Sequence, residues 1–358
     1  MPVMEGTILV PNSSENGSSD LSRLDNVSEI QDPSSSWQDR INQHLVASGI
    51  SPSAAGTLIN SLRLSIQKQF TSYIKWFTDQ IDCISASNVS HVHVINYLQY
   101  LFDSGLGYSS INAASSAVKT YLEMLGVQLN YYLISRFKKG VFNMRPSLPK
   151  YQEIWDPKVV LDYLCKFSNV ELPTLTKKCV ALLALASSQR LGTLHSLKCC
   201  DVSFKDSKAV IRIECLQKQS RPGFHQSHVV LDQYTEPSQC IVKCLRDYLN
   251  ATQSVRVAKP CLTGLFLTYG KPIKNASKDT ISGWIKQTMY DAGVPRFFTA
   301  HSTRAASTSS KFIGGENVNA IMKCAGWTSS DTFYKFYNKT FMLCYEISLF
   351  VPECYYVR

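Results

Sequence analysis

The 358-residue chain contains no uninterrupted apolar run of about 18 residues, the length that crosses a bilayer. No transmembrane helix is expected. The opening residues, MPVMEGTILVPNSSENGSS, lack a basic stretch followed by an apolar core, so they do not read as a secretory signal. Twelve cysteines are present, yet no CxxC pair occurs and no His stands at zinc-finger spacing from a Cys pair. Cys199 and Cys200 are adjacent, and Cys240 and Cys244 lie one helical turn apart. Free thiols in a reducing intracellular compartment are the expectation, with no metal and no cofactor. No internal repeat is visible.

What is present in excess is positive charge, unevenly placed. The formal net charge is +10. Residues 1–39 hold seven acidic side chains against the single Arg23, so residues 40–358 carry 36 basic against 20 acidic groups, a net +16. A body this basic suits a polyanionic partner such as nucleic acid, although charge alone does not separate that from an ordinary basic protein.

The chain divides by composition. Residues 1–36 are rich in Ser, Asn and Asp and poor in aromatics, which reads as a disordered acidic tail. Residues 37–130 read as a small helical domain. Leu58, Leu62, Ile66, Phe70, Ile74 and Phe77 recur at helical intervals, Ser90 is a candidate N-cap, and Gly49, Gly105 and Gly126 are candidate stops. Its polar faces carry Arg63, Lys68, Lys75 and Lys119. Residues 131–154 read as an extended basic linker: Pro146 and Pro149 accompany Arg136, Lys138, Lys139, Arg145 and Lys150. Arg136, Lys138, Lys139 and Arg145 are the candidate DNA-binding residues. A second domain spans 155–350, with a tail at 351–358. Within it DPKVVLDYLCKF and TLTKKCVALLALASSQ read as helices. KAVIRIECLQKQSRPGFHQSHVVL reads as two strands joined by a Pro-Gly turn, and LFLTYGKP as a short strand and turn.

A set of residues in this second domain suits a phosphate. Arg190 follows an apolar helix in SSQRLGTLHSL, and Lys218 precedes SRPG. His301 and Arg304 form H-x-x-R in AHSTRAAST, which sets them on one helix face. Trp327 follows in AGW, and Tyr334 and Tyr337 follow in DTFYKFY. Two guanidinium forks can clamp one phosphodiester, and His and Trp add directional donors. A phenol becomes a nucleophile once its proton is taken or shared. Each residue alone has a plainer explanation: Arg190 as surface charge, H-x-x-R as chance, Trp327 and the aromatics as packing. The order and spacing of the set carry the argument.

That order, Arg, Lys, H-x-x-R, Trp, Tyr, resembles the catalytic domain of tyrosine recombinases, the phage integrase family. The likeness is nearest to the recombinases of DIRS-like retroelements and Cryptons, and it covers roughly residues 40 to 345. It implies a mostly α fold with a small antiparallel β-sheet: a helical SAM-like core-binding domain and a mixed α+β catalytic domain. It implies Arg190, His301 and Arg304 as the phosphate clamp, Lys218 as the proton donor to the leaving 5′ oxygen, Trp327 as an N–H donor, and Tyr337 as nucleophile with Tyr334 as rival. Thr193 stands where the wider family often has an acidic residue, as in the retroelement branch. His195 and His225 have no assigned role.

The implied activity is site-specific cleavage and rejoining of double-stranded DNA through a 3′-phosphotyrosine, without metal or ATP. The expected assembly is a tetramer on two sites, with no membrane partner and a nuclear place of action. A non-cleaving DNA-binding protein on the same fold and a type IB topoisomerase-like enzyme are the alternatives.

Overall fold

Local capping explains where the first helices begin. Helix α1 (Trp37–Ala47) starts at Ser36, whose hydroxyl accepts from the Asp39 amide while Asp39 accepts from the Ser36 amide. Helix α2 (Pro52–Ile59) has Ser51 as cap and Pro52 at its first position. The structure, a computed structural model, describes residues 36–81, 88–168 and 170–342. The acidic tail expected before Ser36 and the expected tail at 351–358 lie outside these residues.

The apolar pattern across 51–80 does not give one helix. Helix α3 (Leu64–Gln80) is separate from α2. The break is knitted by Gln67, whose amide donates to Leu62 O at 2.7 Å and Ile59 O at 3.4 Å. Leu58 is consequently 45% exposed, while Phe70, Ile74 and Phe77 enter the core. Helices α4 (His91–Asp103) and α5 (Tyr108–Met124) complete the expected set, with Ser90 capping α4. Gly49, Gly105 and Gly126 all take positive φ just past helix ends.

The extended linker needs correction. Residues Tyr131–Met144 form an α-helix, α6, capped by Asn130. Ile134 and Val141 are one face of it and are buried with Phe77, Tyr97 and Leu101. Burial of that face outweighs the prolines, which begin only at Pro146. The first compact unit runs to Lys150 and the second starts at Tyr151.

The second unit is built on α8 (Leu172–Ser187), whose residues Cys179–Leu185 are all buried. Around it pack α7 (Pro157–Cys165), α10 (Ile241–Ala258), α11 (Lys278–Asp291) and α12 (Ser302–Ile313). The short α9 (Leu191–Ser196) follows α8 directly. One antiparallel sheet has order β1 (Val202–Lys205), β2 (Lys208–Arg212), β3 (His228–Asp232), with Val202 opposite Ile211 and Ala209 opposite Leu231. Strand β1 escaped the sequence reading because it is four residues long and turns at Asp206 and Ser207 without Gly or Asn. The expected strand at LFLTYGKP is absent; Leu267 makes only an isolated bridge to Asn275.

Helices α13 (Val318–Ala325) and α14 (Ser330–Phe336) end the described chain. Beyond them the chain returns to the start of the unit: the Ile154 amide donates to Thr340 O, and the Met342 amide to Ile154 O, each at 2.9 Å. The mostly helical architecture with a small antiparallel sheet is as expected from the sequence. The nine cysteines among the described residues are free. No helix among them is long and apolar enough to cross a membrane.

Candidate active site

The end of α8 shapes the site. Ser188 takes the left-handed conformation (φ 52°) and is fully buried. Ser307 Oγ donates to Leu185 O, so the 2.6 Å contact between Ser188 and Ser307 uses the Ser188 proton. This holds the Ser188 carbonyl against Arg304.

Arg304 lies in the first turn of α12 and is 1% exposed. Its Nη1 donates to Ser188 O at 2.8 Å and its Nη2 to Ala325 O at 2.7 Å. Its Cζ stands 4.6 Å from the centre of the Trp327 ring and 5.5 Å from that of Tyr337. Among the described residues, Arg304 Nε and Trp327 Nε1 are buried donors without a hydrogen-bond partner. Such groups are costly unless an acceptor reaches them.

Although AHSTRAASTSS is polar, most of it is not solvated. Ser302, Thr303, Ser307, Thr308 and Ser309 are buried with Arg304, and their hydroxyls are all engaged. Ser309 Oγ donates to Tyr337 O at 2.6 Å and fixes the backbone just past α14. Tyr337 Oη then lies 3.4 Å from His301 Nε2, with its ring 4.6 Å from that of Trp327. Tyr334 is 52% exposed and meets Phe312 and Phe333 edge-on.

Gly326 connects α13 to Trp327 with φ +66°, and a Cβ there would collide with Gln226 Oε1. The last carbonyls of α13 are taken by side chains from elsewhere in the site. Gln226 donates to Lys323 O and Cys324 O, Gln189 to Cys324 O, Arg304 to Ala325 O, and Gln219 to Gly326 O. Gln219 also accepts from Arg190 Nη1. None of these glutamines was singled out from the sequence.

Charge in the site is one-sided. Among the described residues, Arg190, Lys218 and Arg304 have no carboxylate partner in an ion pair. Burial pushes the Arg304 guanidinium down to about 10, with Arg190 adding to the shift and Tyr337 opposing it. It remains cationic at neutral pH. Burial likewise lowers Arg190, and Tyr337 again opposes. His301 is exposed on one side, yet the protein packed on its other side costs it hydration and lowers it first, followed by Arg304, Arg190 and Lys218. A neutral His301 is therefore favoured beside the Tyr337 hydroxyl.

Thus Tyr337 meets His301, Arg304 and Trp327, and Arg190 is linked to them through Gln219. Lys218 is exposed on the β2–β3 loop, close enough to act on His301 but without a hydrogen bond to the others. In the first unit, Arg136 and Lys139 are exposed on α6. Lys138 is half-buried and donates to Asn112 Oδ1 at 3.1 Å. Arg145 is occupied internally: it donates to Phe102 O and Leu106 O and stacks on the Phe102 ring at 4.1 Å.

The profile of the phage integrase family matches residues 158–342, just over half of the chain. The protein belongs to the phage integrase family. Two solved structures share its fold. XerH site-specific recombinase bound to difH substrate, a pre-cleavage complex, is 14% identical with a TM-score of 0.53, covering 91% of this chain and 99% of that one. The post-cleavage complex of XerH with palindromic difH is also 14% identical, with a TM-score of 0.54, covering 85% and 93%. Comparison with curated proteins finds no match. This phage integrase family member shares with those structures an architecture rather than a close sequence.

Proposed function

We propose that this protein cuts and rejoins double-stranded DNA, using Tyr337 as nucleophile. The observation that carries the proposal is the pair of buried, unpartnered donors on Arg304 and Trp327, beside a tyrosine hydroxyl within 3.4 Å of a histidine nitrogen. A phosphodiester offers two non-bridging oxygens as acceptors and the negative charge that the cations lack.

In this reading Tyr337 Oη attacks phosphorus and passes its proton to the neutral Nε2 of His301. The bond from phosphorus to the 5′ oxygen breaks, and Lys218 protonates that oxygen. A 3′-phosphotyrosine and a 5′ hydroxyl result. Arg190, Arg304 and Trp327 stabilise the charge that grows on the non-bridging oxygens. The phosphotyrosine bond conserves the energy of the phosphodiester, so rejoining to a new 5′ hydroxyl needs no ATP. The positive charge required by the step is supplied by side chains.

The exposed cations of α6, Arg136 and Lys139, are proposed to contact the DNA backbone. The recombinases of DIRS-like elements and Cryptons, which the AHSTRAAST and FYKFY segments resemble, suggest a mobile element acting in the nucleus. XerH is a site-specific recombinase, and a pair of sites bridged by a tetramer is the assembly we infer for this chain.

The test is covalent capture. Nicked duplexes with a randomised core are incubated with the protein, denatured, and searched for protein–DNA adducts. An adduct in the wild type that Tyr337→Phe removes supports the proposal. Tight DNA binding without any adduct from the pool favours a non-cleaving binder. Captured sites that support relaxation of supercoils but no exchange between duplexes favour a topoisomerase-like activity.

A further inference from the structure

We propose that Gln219 is a positioning residue, which aims Lys218 at the leaving oxygen; this rests on the cleavage reading above. The two residues are neighbours at the tip of a tight turn. The Ser220 amide donates to Gln217 O at 3.0 Å, and the Gln217 amide to Ser220 Oγ at 2.8 Å. Lys218 and Gln219 are the central residues of that turn. His225 braces its base, bridging Ser220 Oγ and Ile213 O at 2.9 Å each.

The turn lies in a long loop between β2 and β3, and a lysine exposed on such a loop has no intrinsic direction. Gln219 supplies one. Its amide nitrogen donates to Gly326 O and its amide oxygen accepts from Arg190 Nη1. One planar group thus joins the loop tip to the first clamp arginine and to the residue before Trp327. With the Gln219 side chain fixed at both ends, the backbone that carries Lys218 is fixed too. An amide suits this task because it donates and accepts at once; a carboxylate would repel the Gly326 carbonyl, and an ammonium would repel Arg190.

The chemical step gives a readout specific to this role. On ordinary DNA the 5′ oxygen needs the Lys218 proton as its bond to phosphorus breaks. If that bridging oxygen is replaced by sulfur, the 5′ thiolate leaves unprotonated, since thiols have pKa values of roughly 8.5. Loss of Lys218 then ceases to matter, while loss of clamp residues still does.

The experiment uses the full chain and a nicked duplex captured in the randomised pool, made with oxygen or with sulfur at the 5′ bridge. Wild type, Gln219→Ala, Lys218→Ala and Arg190→Ala are compared for the rate of adduct formation. Gln219→Ala is expected to slow cleavage of the oxygen substrate by at least about tenfold, part of the roughly 10²–10⁴ that a positioned acid contributes. On the sulfur substrate it should regain most of the rate it lost, as Lys218→Ala does, with any small remainder reflecting the contact to Arg190. Equal slowing on both substrates, the pattern expected of Arg190→Ala, would overturn the inference, as would an unchanged rate on the oxygen substrate. Gln219→Asn, one methylene shorter, serves if the alanine variant does not fold. Wild-type adduct that Tyr337→Phe abolishes verifies the cleavage reading separately; its absence on both substrates defeats that reading and the role of Gln219 with it.

Discussion

Arg304 is pinned by the carbonyl of Ser188, at 2.8 Å, and Ser188 reaches it only because its own backbone is left-handed. Arg304 is thus fixed by a strained residue 116 positions earlier in the chain. Its second nitrogen is fixed by Ala325, so a lysine cannot replace it: one ammonium does not match a fork held at two carbonyls. Arg304→Lys and Arg304→Ala should both leave buried carbonyls unpaired, at a cost of about 1–3 kcal/mol for each. Urea unfolding of the two variants measures it, and stability within about 0.5 kcal/mol of wild type would refute the role.

Tyr337 and Tyr334 should separate cleanly. We expect Tyr337→Phe to abolish covalent adduct formation, whereas Tyr334→Phe keeps it within about threefold, because Tyr334 is half exposed and its ring meets Phe312 of α12 and Phe333 of α14. Denaturing gels of trapped complexes decide the point.

His301 should give stability a pH slope of known sign. Its folded value is lowered by loss of hydration and by Arg304, Arg190 and Lys218, so the unfolded chain takes up the proton first. Stability is then lost as pH falls from the unfolded value, about 6.5, towards the lower folded value. His301→Gln removes this slope. Urea unfolding on either side of that unfolded value, at about pH 7.5 and about pH 5.5, should find wild type losing more stability than the variant between the two.

Two glycines with similar backbones should respond differently to alanine. Gly105 has φ +94° and open space around a built Cβ, so Gly105→Ala pays only for the backbone, about 1 kcal/mol. Gly326 adds the collision with Gln226, so Gly326→Ala should cost more and should also slow cleavage by displacing Trp327. Equal effects of the two in thermal unfolding would show that the packing at Gly326 is slack.

The cations of α6 should divide into two kinds. Replacing exposed Arg136 and Lys139 with Ala should flatten the salt dependence of DNA binding by about 0.9 for each phosphate that is no longer neutralised. Arg145→Ala should instead lower the stability of the first unit, since its guanidinium caps the carbonyls of Phe102 and Leu106. Titrations at several salt concentrations, paired with unfolding curves, distinguish them.

Much of the first unit was legible because its signals are local. Ser36, Ser51 and Ser90 cap helices from within three residues, and Gly105 and Gly126 stop them. Helix α6 was obscured because its cations and the nearby prolines masked the apolar pair Ile134 and Val141, two turns apart. The residues proposed to carry the chemistry were singled out by kind and order; His301, Arg304 and Trp327 lie around Tyr337, Arg190 is linked to them through Gln219, and Lys218 stands on the loop beside them. Gln189, Gln219 and Gln226 were not singled out, since a glutamine announces no partner and the carbonyls they donate to at the end of α13 are 97 to 135 residues away. Ser188 was equally silent: nothing in SSQR signals a left-handed serine whose carbonyl serves an arginine in another helix.

The backbone pairing of Ile154 with Thr340 and Met342 has a bearing on how such a protein assembles. It fastens the chain three residues after Tyr337 to the first residues of the same unit. The tyrosine is leashed on a short tether, and delivering it to a neighbouring subunit would require that fastening to open. As folded, Tyr337 stands beside His301 and Arg304 of its own chain, so under the proposed function a tetramer would coordinate four self-contained sites rather than build them by exchange.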